Sequence, residues 1–223
     1  MRRTYQFFRR ARKEPKMFLL PKLYPITDAR LSGLSHGAQI ARLCDGGARL
    51  VQLREKHLSP RDFYHAAEAA LVVARERSAR LIINDRADIA LALQADGVHL
   101  GQDDLDPAVA RRLLGENFII GYSTHSMAQA IEAARLPVDY IAIGPVFATH
   151  TKENPDPVIG LDGLREVSAA IGSRIPLVAI GGITPTTARA ALDAGADSVG
   201  IIGALLDAPE LIARRTREFL QLL

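Results

Sequence analysis

The chain has 223 residues, 48% of them hydrophobic and 24% charged, which suits an ordinary folded domain and excludes a disordered or fibrous one. It holds no apolar run near the roughly 18 residues needed to cross a bilayer, and its one cysteine, Cys44, excludes an internal disulfide framework and a zinc-type Cys/His spacing. The net charge of +3 belongs to the first 22 residues, where Arg2, Arg3, Arg9, Arg10, Arg12, Lys13, Lys16 and Lys22 face Glu14 alone, so residues 23–223 are net acidic and offer nucleic acid no general basic face.

Residues 1–22 are expected to be a basic, disordered extension, or one lying upstream of a start at Met17. Its apolar stretch Met17 to Leu20 is too short for a signal peptide. A nucleic-acid or membrane contact by this extension stays open. The remainder, 23–223, is expected to be one catalytic domain in the cytoplasm, with neither nucleic acid nor membrane as partner; a homodimer stays open, since no exposed apolar stripe marks an interface.

From Leu23 onward, short apolar or β-branched runs alternate with Ala/Leu/Arg-rich stretches of helical spacing. The first predicted strand is Leu23 to Asp28 and the second Leu50 to Glu55, which runs on into Lys56. Period-two alternation throws Gln52, Arg54 and Lys56 to one side, where the two cations could clamp a diphosphate or simply form a solvated charged loop. Ser59-Pro60 then opens a helix.

The third strand, Arg80 to Asp85, ends Asn84-Asp85, and the fourth, Gly97 to Gln102, runs on into Asp103-Asp104. Asp85 and Asp104, at adjacent strand ends, can share one Mg²⁺, which takes one or two protein carboxylates and completes its shell with water and phosphate oxygens. Judged singly, each is as well suited to capping a helix or a turn. Asp106-Pro107 starts the next helix. In the fifth strand, Ile119 to Thr124, Ser123 can bond a ligand, while His125 and His99 could move a proton or be structural.

The sixth strand, Asp139 to Phe147, leads into Thr149-His150-Thr151-Lys152, with two hydroxyls for a phosphate and a third cation for a diphosphate. The seventh, Pro176 to Ile183, carries Gly181-Gly182 and precedes a helix start at Thr184-Pro185; the eighth, Ser198 to Leu205, carries Ile202-Gly203. Glycines after strands seven and eight suit the phosphate cradle that α/β barrels build there, or close packing at the rim.

Eight nearly continuous apolar strands, each followed by a helix, predict an α/β fold, a closed (β/α)8 barrel of TIM type with its site at the C-terminal strand ends. An open doubly wound sheet is the alternative, but no GxGxxG turn follows the first strand. No residue stands out as a covalent nucleophile.

The motifs QLREK (52–56), IND (83–85), ADGVHLGQDD (95–104), GPVFATHTK (144–152) and AIGGI (179–183) together resemble the thiamine phosphate synthase family over about residues 23–221. The resemblance implies a transferase of thiamine biosynthesis that joins 4-amino-2-methyl-5-hydroxymethylpyrimidine diphosphate to a thiazole phosphate. Diphosphate departs first, and the thiazole nitrogen then captures the pyrimidine methyl cation. It implies Arg54, Lys56, Lys152 and Ser123 as the catalytic group, with Gln52, Leu53, Glu55 and Asn84 joining them around the pyrimidine diphosphate. Asp85 and Asp104 would hold Mg²⁺, and Thr149, His150, Thr151, Gly182, Ile202 and Gly203 the thiazole phosphate.

Where the family usually carries serine this chain has Gly203, so one phosphate hydroxyl is missing while backbone N–H donors remain. Two other readings stay open. One is the related thiazole tautomerase branch, which would use a histidine such as His125; the other is a non-catalytic sensor of a phosphorylated ligand.

Overall fold

The computed structural model describes residues 19–149 and 156–223. Among these, eight strands run parallel: β1 (Leu23–Thr27), β2 (Leu50–Leu53), β3 (Arg80–Asn84), β4 (Gly97–Leu100), β5 (Ile119–Thr124), β6 (Tyr140–Ile143), β7 (Leu177–Ile180) and β8 (Ser198–Ile201). They close in chain order, with β8 paired to β1 through Leu23–Val199 and Pro25–Ile201, into the predicted barrel.

Helices α1 (Ala29–Ser32) and α2 (His36–Asp45) follow β1; then α3 (Pro60–Glu76), α4 (Ala87–Leu93), α5 (Pro107–Leu114), α6 (Met127–Ala133), α7 (Gly160–Ile171) and α8 (Pro185–Asp193) follow β2 to β7 in turn. After β8 come α9 (Gly203–Leu206) and α10 (Ile212–Leu222). No described helix is long and apolar enough to cross a membrane. The expected helix starts hold. Ser59 accepts from the Asp62 N–H and Asp106 from those of Ala108 and Val109, each ahead of a proline that has no N–H to lose.

Alternation sorts the strand side chains into two layers. Val51, Leu53, Leu81, Ile83, Val98 and Leu100 pack outward under the helices. Tyr24, Leu50, Ile82, Ile119, Tyr140, Ala142 and Val178 fill the interior, with Leu20 packed against them. The chain is thus held to the barrel by residue 20, and Lys22 gives its carbonyl to the Val199 N–H (2.9 Å). Residues 1–18 of the basic extension lie outside the described residues.

Several strands are shorter than their apolar runs, each for a local reason. Asp28 leaves β1 to cap α1, accepting the Leu31 N–H at 3.0 Å. Asp85 leaves β3 with φ of 64°. Pro145, with no N–H, ends the ladder after β6. Gly181 and Gly182, at φ 97° and 63°, turn the chain after β7.

Residues 202–205 are a correction: expected as strand, they enter α9, where the Ile202 carbonyl accepts the N–H groups of Leu205 (3.1 Å) and Leu206 (3.2 Å). Leu205 and Leu206 are good helix formers, and the turn buries both completely.

Gly121, on the inner face of β5, makes room for the widest interior side chains, since a Cβ there would overlap the Tyr140 ring and the His99 imidazole. Gly121→Ala is therefore expected to destabilise the fold by about 1–3 kcal/mol, the usual cost of overpacking, read as a lower urea midpoint at unchanged m-value.

Candidate active site

The C-terminal strand ends bring most of the predicted residues to one rim. Arg54, just past β2, is held by Asp28 at the end of β1, its Nη1 donating to Oδ2 at 2.9 Å. The Arg54 N–H also donates to Thr27 Oγ1 (3.3 Å), and Thr27 Oγ1 meets His36 Nδ1 at 2.8 Å. Glu55 turns the other way: its carboxylate accepts from His36 Nε2 (3.2 Å) and from the N–H groups of His57 and Leu58, which folds the loop back on itself. Leu53 is buried in the strand–helix layer.

Lys56 reaches across to β3, where its Nζ donates to Asp85 Oδ2 at 2.5 Å. Asp85 is held by its own N–H to the His99 carbonyl (2.8 Å) in a left-handed conformation, one that aspartate tolerates better than most side chains. From β4, Asp104 turns in toward it while Asp103 stays exposed; Oδ2 of Asp104 accepts the Gly101 N–H at 2.7 Å. Burial and then the neighbouring Asp85 carboxylate raise the Asp104 pKa, the Gly101 bond opposing. Two carboxylates forced together, with oxygen donors only, fit one hard divalent cation. No larger group of His, Cys, Asp or Glu occurs among the described residues, so the remaining ligands would come from phosphate and water.

Asn84 is buried beside His99, its partner across β3 and β4. Ser123 Oγ sits 2.8 Å from His99 Nε2, and Gln52 Nε2 donates to the Tyr24 hydroxyl at 3.3 Å. Burial pushes the His99 pKa down to about 4, so this imidazole is neutral at pH 7. His125 has its Nδ1 on the Gly144 carbonyl (2.8 Å) and near Asp156 (3.4 Å), which ties the loop after β5 to that after β6.

The opposite half of the rim is backbone-rich. The loop after β6 is stitched to β7 by Val146 N–H to the Ile180 carbonyl (2.9 Å) and Phe147 N–H to the Gly181 carbonyl (3.0 Å). A Cβ at Gly182 would overlap the Ala148 carbonyl oxygen, so the loop bearing Thr149 runs directly past Gly182. Ile202 and Gly203 stand at the turn into α9, where the first N–H groups have no helical partner. His150, Thr151 and Lys152 lie outside the described residues.

Sequence reasoning passed over Asp28, Tyr24 and Tyr140. Asp28 sits at the end of β1 and would have emerged from the strand-end rule applied to that strand as to the others. The tyrosines look like core residues in LYPIT and YIAI, and their hydroxyl partners are far off in sequence.

Residues 23–205 match the family described as thiamine monophosphate synthase. The chain is 46% identical over 193 residues to a thiamine-phosphate synthase of Chloroflexus aurantiacus, covering 86% of this chain and 88% of that one. It is 47% identical over 212 residues to one of Koribacter versatilis, covering 92% and 96%. Among solved structures it is similar to a thiamine phosphate pyrophosphorylase from Pyrococcus furiosus, with a TM-score of 0.80 and 37% identity over 90% of this chain and 94% of that one.

Because the Asp104 pKa is raised above its unfolded value, the ionised carboxylate opposes folding once pH exceeds that value. Asp104→Asn, which can still accept the Gly101 N–H, is expected to raise the thermal midpoint at pH 7 in chelator and to shrink the stabilisation gained on adding Mg²⁺. Differential scanning fluorimetry with and without Mg²⁺ reads both.

Proposed function

The chain belongs to the thiamine monophosphate synthase family, and from that premise we propose which of its residues carry the transfer. The reaction is that of a thiamine-phosphate synthase, a transferase that condenses a hydroxymethylpyrimidine diphosphate with a thiazole phosphate. The observation that carries the assignment of roles is the meeting of Arg54 and Lys56 with the paired carboxylates Asp85 and Asp104 on one half of the rim.

Arg54 and Lys56 bind the diphosphate, with Lys152 as a third cation. As the bond from the pyrimidine methylene carbon to the diphosphate oxygen breaks, its electron pair leaves with the diphosphate. The cations, already held in place, face the charge that grows there, which is electrostatic catalysis by preorganised groups. The thiazole nitrogen then gives its lone pair to the methylene carbon. Asp85 and Asp104 would hold Mg²⁺, which when bound neutralises phosphate charge. No protein nucleophile is required.

Gln52, Asn84 and Ser123 bind the pyrimidine, with Leu53 and Glu55 shaping the strand end beneath. Thr149, His150, Thr151, Gly182, Ile202 and Gly203 bind the thiazole phosphate, chiefly through backbone N–H groups where Gly203 supplies no hydroxyl. The partners are two phosphorylated small molecules. Neither the tautomerase nor the sensor reading is favoured: the cation and carboxylate set is complete apart from Lys152, which lies outside the described residues, and His125 is engaged with the Gly144 carbonyl.

Purified protein is expected to form thiamine phosphate and pyrophosphate from the two substrates, and to stop when Mg²⁺ is chelated; interconversion of thiazole isomers without coupling would overturn the reading. A hydrogen bond to a charged group contributes roughly 1.5–3 kcal/mol, so Arg54→Ala or Lys152→Ala is expected to fold and to lose about ten- to a hundred-fold in turnover. Wild-type turnover in either variant would remove that residue from the diphosphate site.

A further inference from the structure

Below the rim, the barrel interior contains a run of hydrogen bonds that the transfer reaction itself does not call for. Gln52 Nε2 donates to the Tyr24 hydroxyl (3.3 Å), Tyr24 meets the Tyr140 hydroxyl (2.8 Å), Tyr140 meets His99 Nδ1 (3.0 Å), and His99 Nε2 meets Ser123 Oγ (2.8 Å). The run crosses the barrel from β2 to β5 through β1, β6 and β4. Tyr24 and Tyr140 are 1% and 0% exposed. Their rings pack edge to face at 5.7 Å, and His99 stacks on Tyr140 at 5.5 Å.

Aliphatic side chains would fill this space without the cost of burying polar groups. The polar groups are nevertheless fully used: no buried side-chain nitrogen or oxygen among the described residues lacks a partner. Gly121, on the same inner face, is the small residue that lets Tyr140 and His99 meet.

One assignment of protons satisfies every link of the run: the Tyr24 hydroxyl, which accepts from the Gln52 amide nitrogen, gives its own proton to Tyr140. Carried on, Tyr140 donates to Nδ1 of His99, and the neutral ring donates from Nε2 to Ser123 Oγ. The Ser123 proton is then turned out of the run. At the other end, Gln52 gives its amide nitrogen to Tyr24, which leaves the carbonyl oxygen as the atom this amide can offer a ligand.

We propose that Tyr24 and Tyr140, linked through His99, are positioning residues that present Gln52 as a carbonyl acceptor and Ser123 as a hydroxyl donor. The site thereby selects a heteroaromatic ring carrying both an N–H donor and a ring-nitrogen acceptor, as an aminopyrimidine does. This rests on the proposed placement of Gln52 and Ser123 at the pyrimidine.

The test is a double-mutant cycle on kcat/KM for the pyrimidine diphosphate, using wild type, Tyr140→Phe, Ser123→Ala and the double variant. Tyr140→Phe removes one oxygen and is expected to lower kcat/KM about five- to ten-fold, to leave the KM for thiazole phosphate unchanged, and to have a smaller further effect, the part carried through Gln52, once Ser123 is alanine. It is also expected to weaken discrimination against the pyrimidine diphosphate lacking the amino group. Multiplying effects in the double variant, or an equal loss toward thiazole phosphate, would reduce the tyrosine to packing and overturn the proposal. Wild-type kcat/KM in Ser123→Ala would instead remove Ser123 from the pyrimidine site. Should circular dichroism show Tyr140→Phe unfolded, Tyr24→Phe carries the same cycle from one link further away.

Discussion

Closing eight parallel strands into a ring leaves an interior too narrow for free choice of side chains, and this constraint organises the rest of the molecule. Apolar residues on both faces of most strands are locked between the interior and the helices. Every strand therefore delivers its C-terminal residues to the same rim, whatever their chemistry. Where a wide side chain crosses the interior, as Tyr140 does, a neighbouring strand must yield, and Gly121 does so. The rim is polar because the strands stop there: Asp28, Asp85, Gly181 and Gly182 all leave the ladder at that level.

Charge at the rim is arranged in pairs before any ligand arrives. Arg54 rests on Asp28 and Lys56 on Asp85, so neither cation stands uncompensated and neither has to search for its position. The two pairs differ in consequence. Asp28 also caps α1 and is committed to the fold, whereas Asp85 shares its surroundings with Asp104, whose ionisation is opposed by burial and then by the Asp85 carboxylate. A divalent cation would relieve that opposition and leave Lys56 to the phosphate. The same electrostatics that opposes ionisation of Asp104 would thus favour binding of such a cation, a common exchange of stability for function at active sites.

Much of this was legible in order and spacing. Alternating apolar runs and helical stretches announced the barrel, because parallel strands buried on both faces must be apolar throughout. Proline after a serine, aspartate or threonine marked three helix starts that the structure contains. Reading strand ends placed Gln52, Arg54, Lys56, Asp85, Asp104 and Ser123 at one end of the barrel, which is where the strands carry them. Run lengths misled where backbone conformation ended a strand inside an apolar stretch: Ile202 to Leu205 are as apolar as the strand before them, yet they turn into α9.

By itself, the sequence determined the architecture, the rim on which the chemistry sits and the kinds of groups found there, since these follow from periodicity and from which residue types end each strand. Only the tertiary structure decided who partners whom. That Arg54 rests on Asp28, that Lys56 rests on Asp85, and that Gln52 reaches Ser123 through Tyr24, Tyr140 and His99 all depend on distances across the barrel. Tyr24 and Tyr140 are 116 residues apart and meet only because the ring closes. Hydrogen bonds form between atoms brought within about 3 Å, and no local pattern encodes a contact that exists only after the strands have come round to meet.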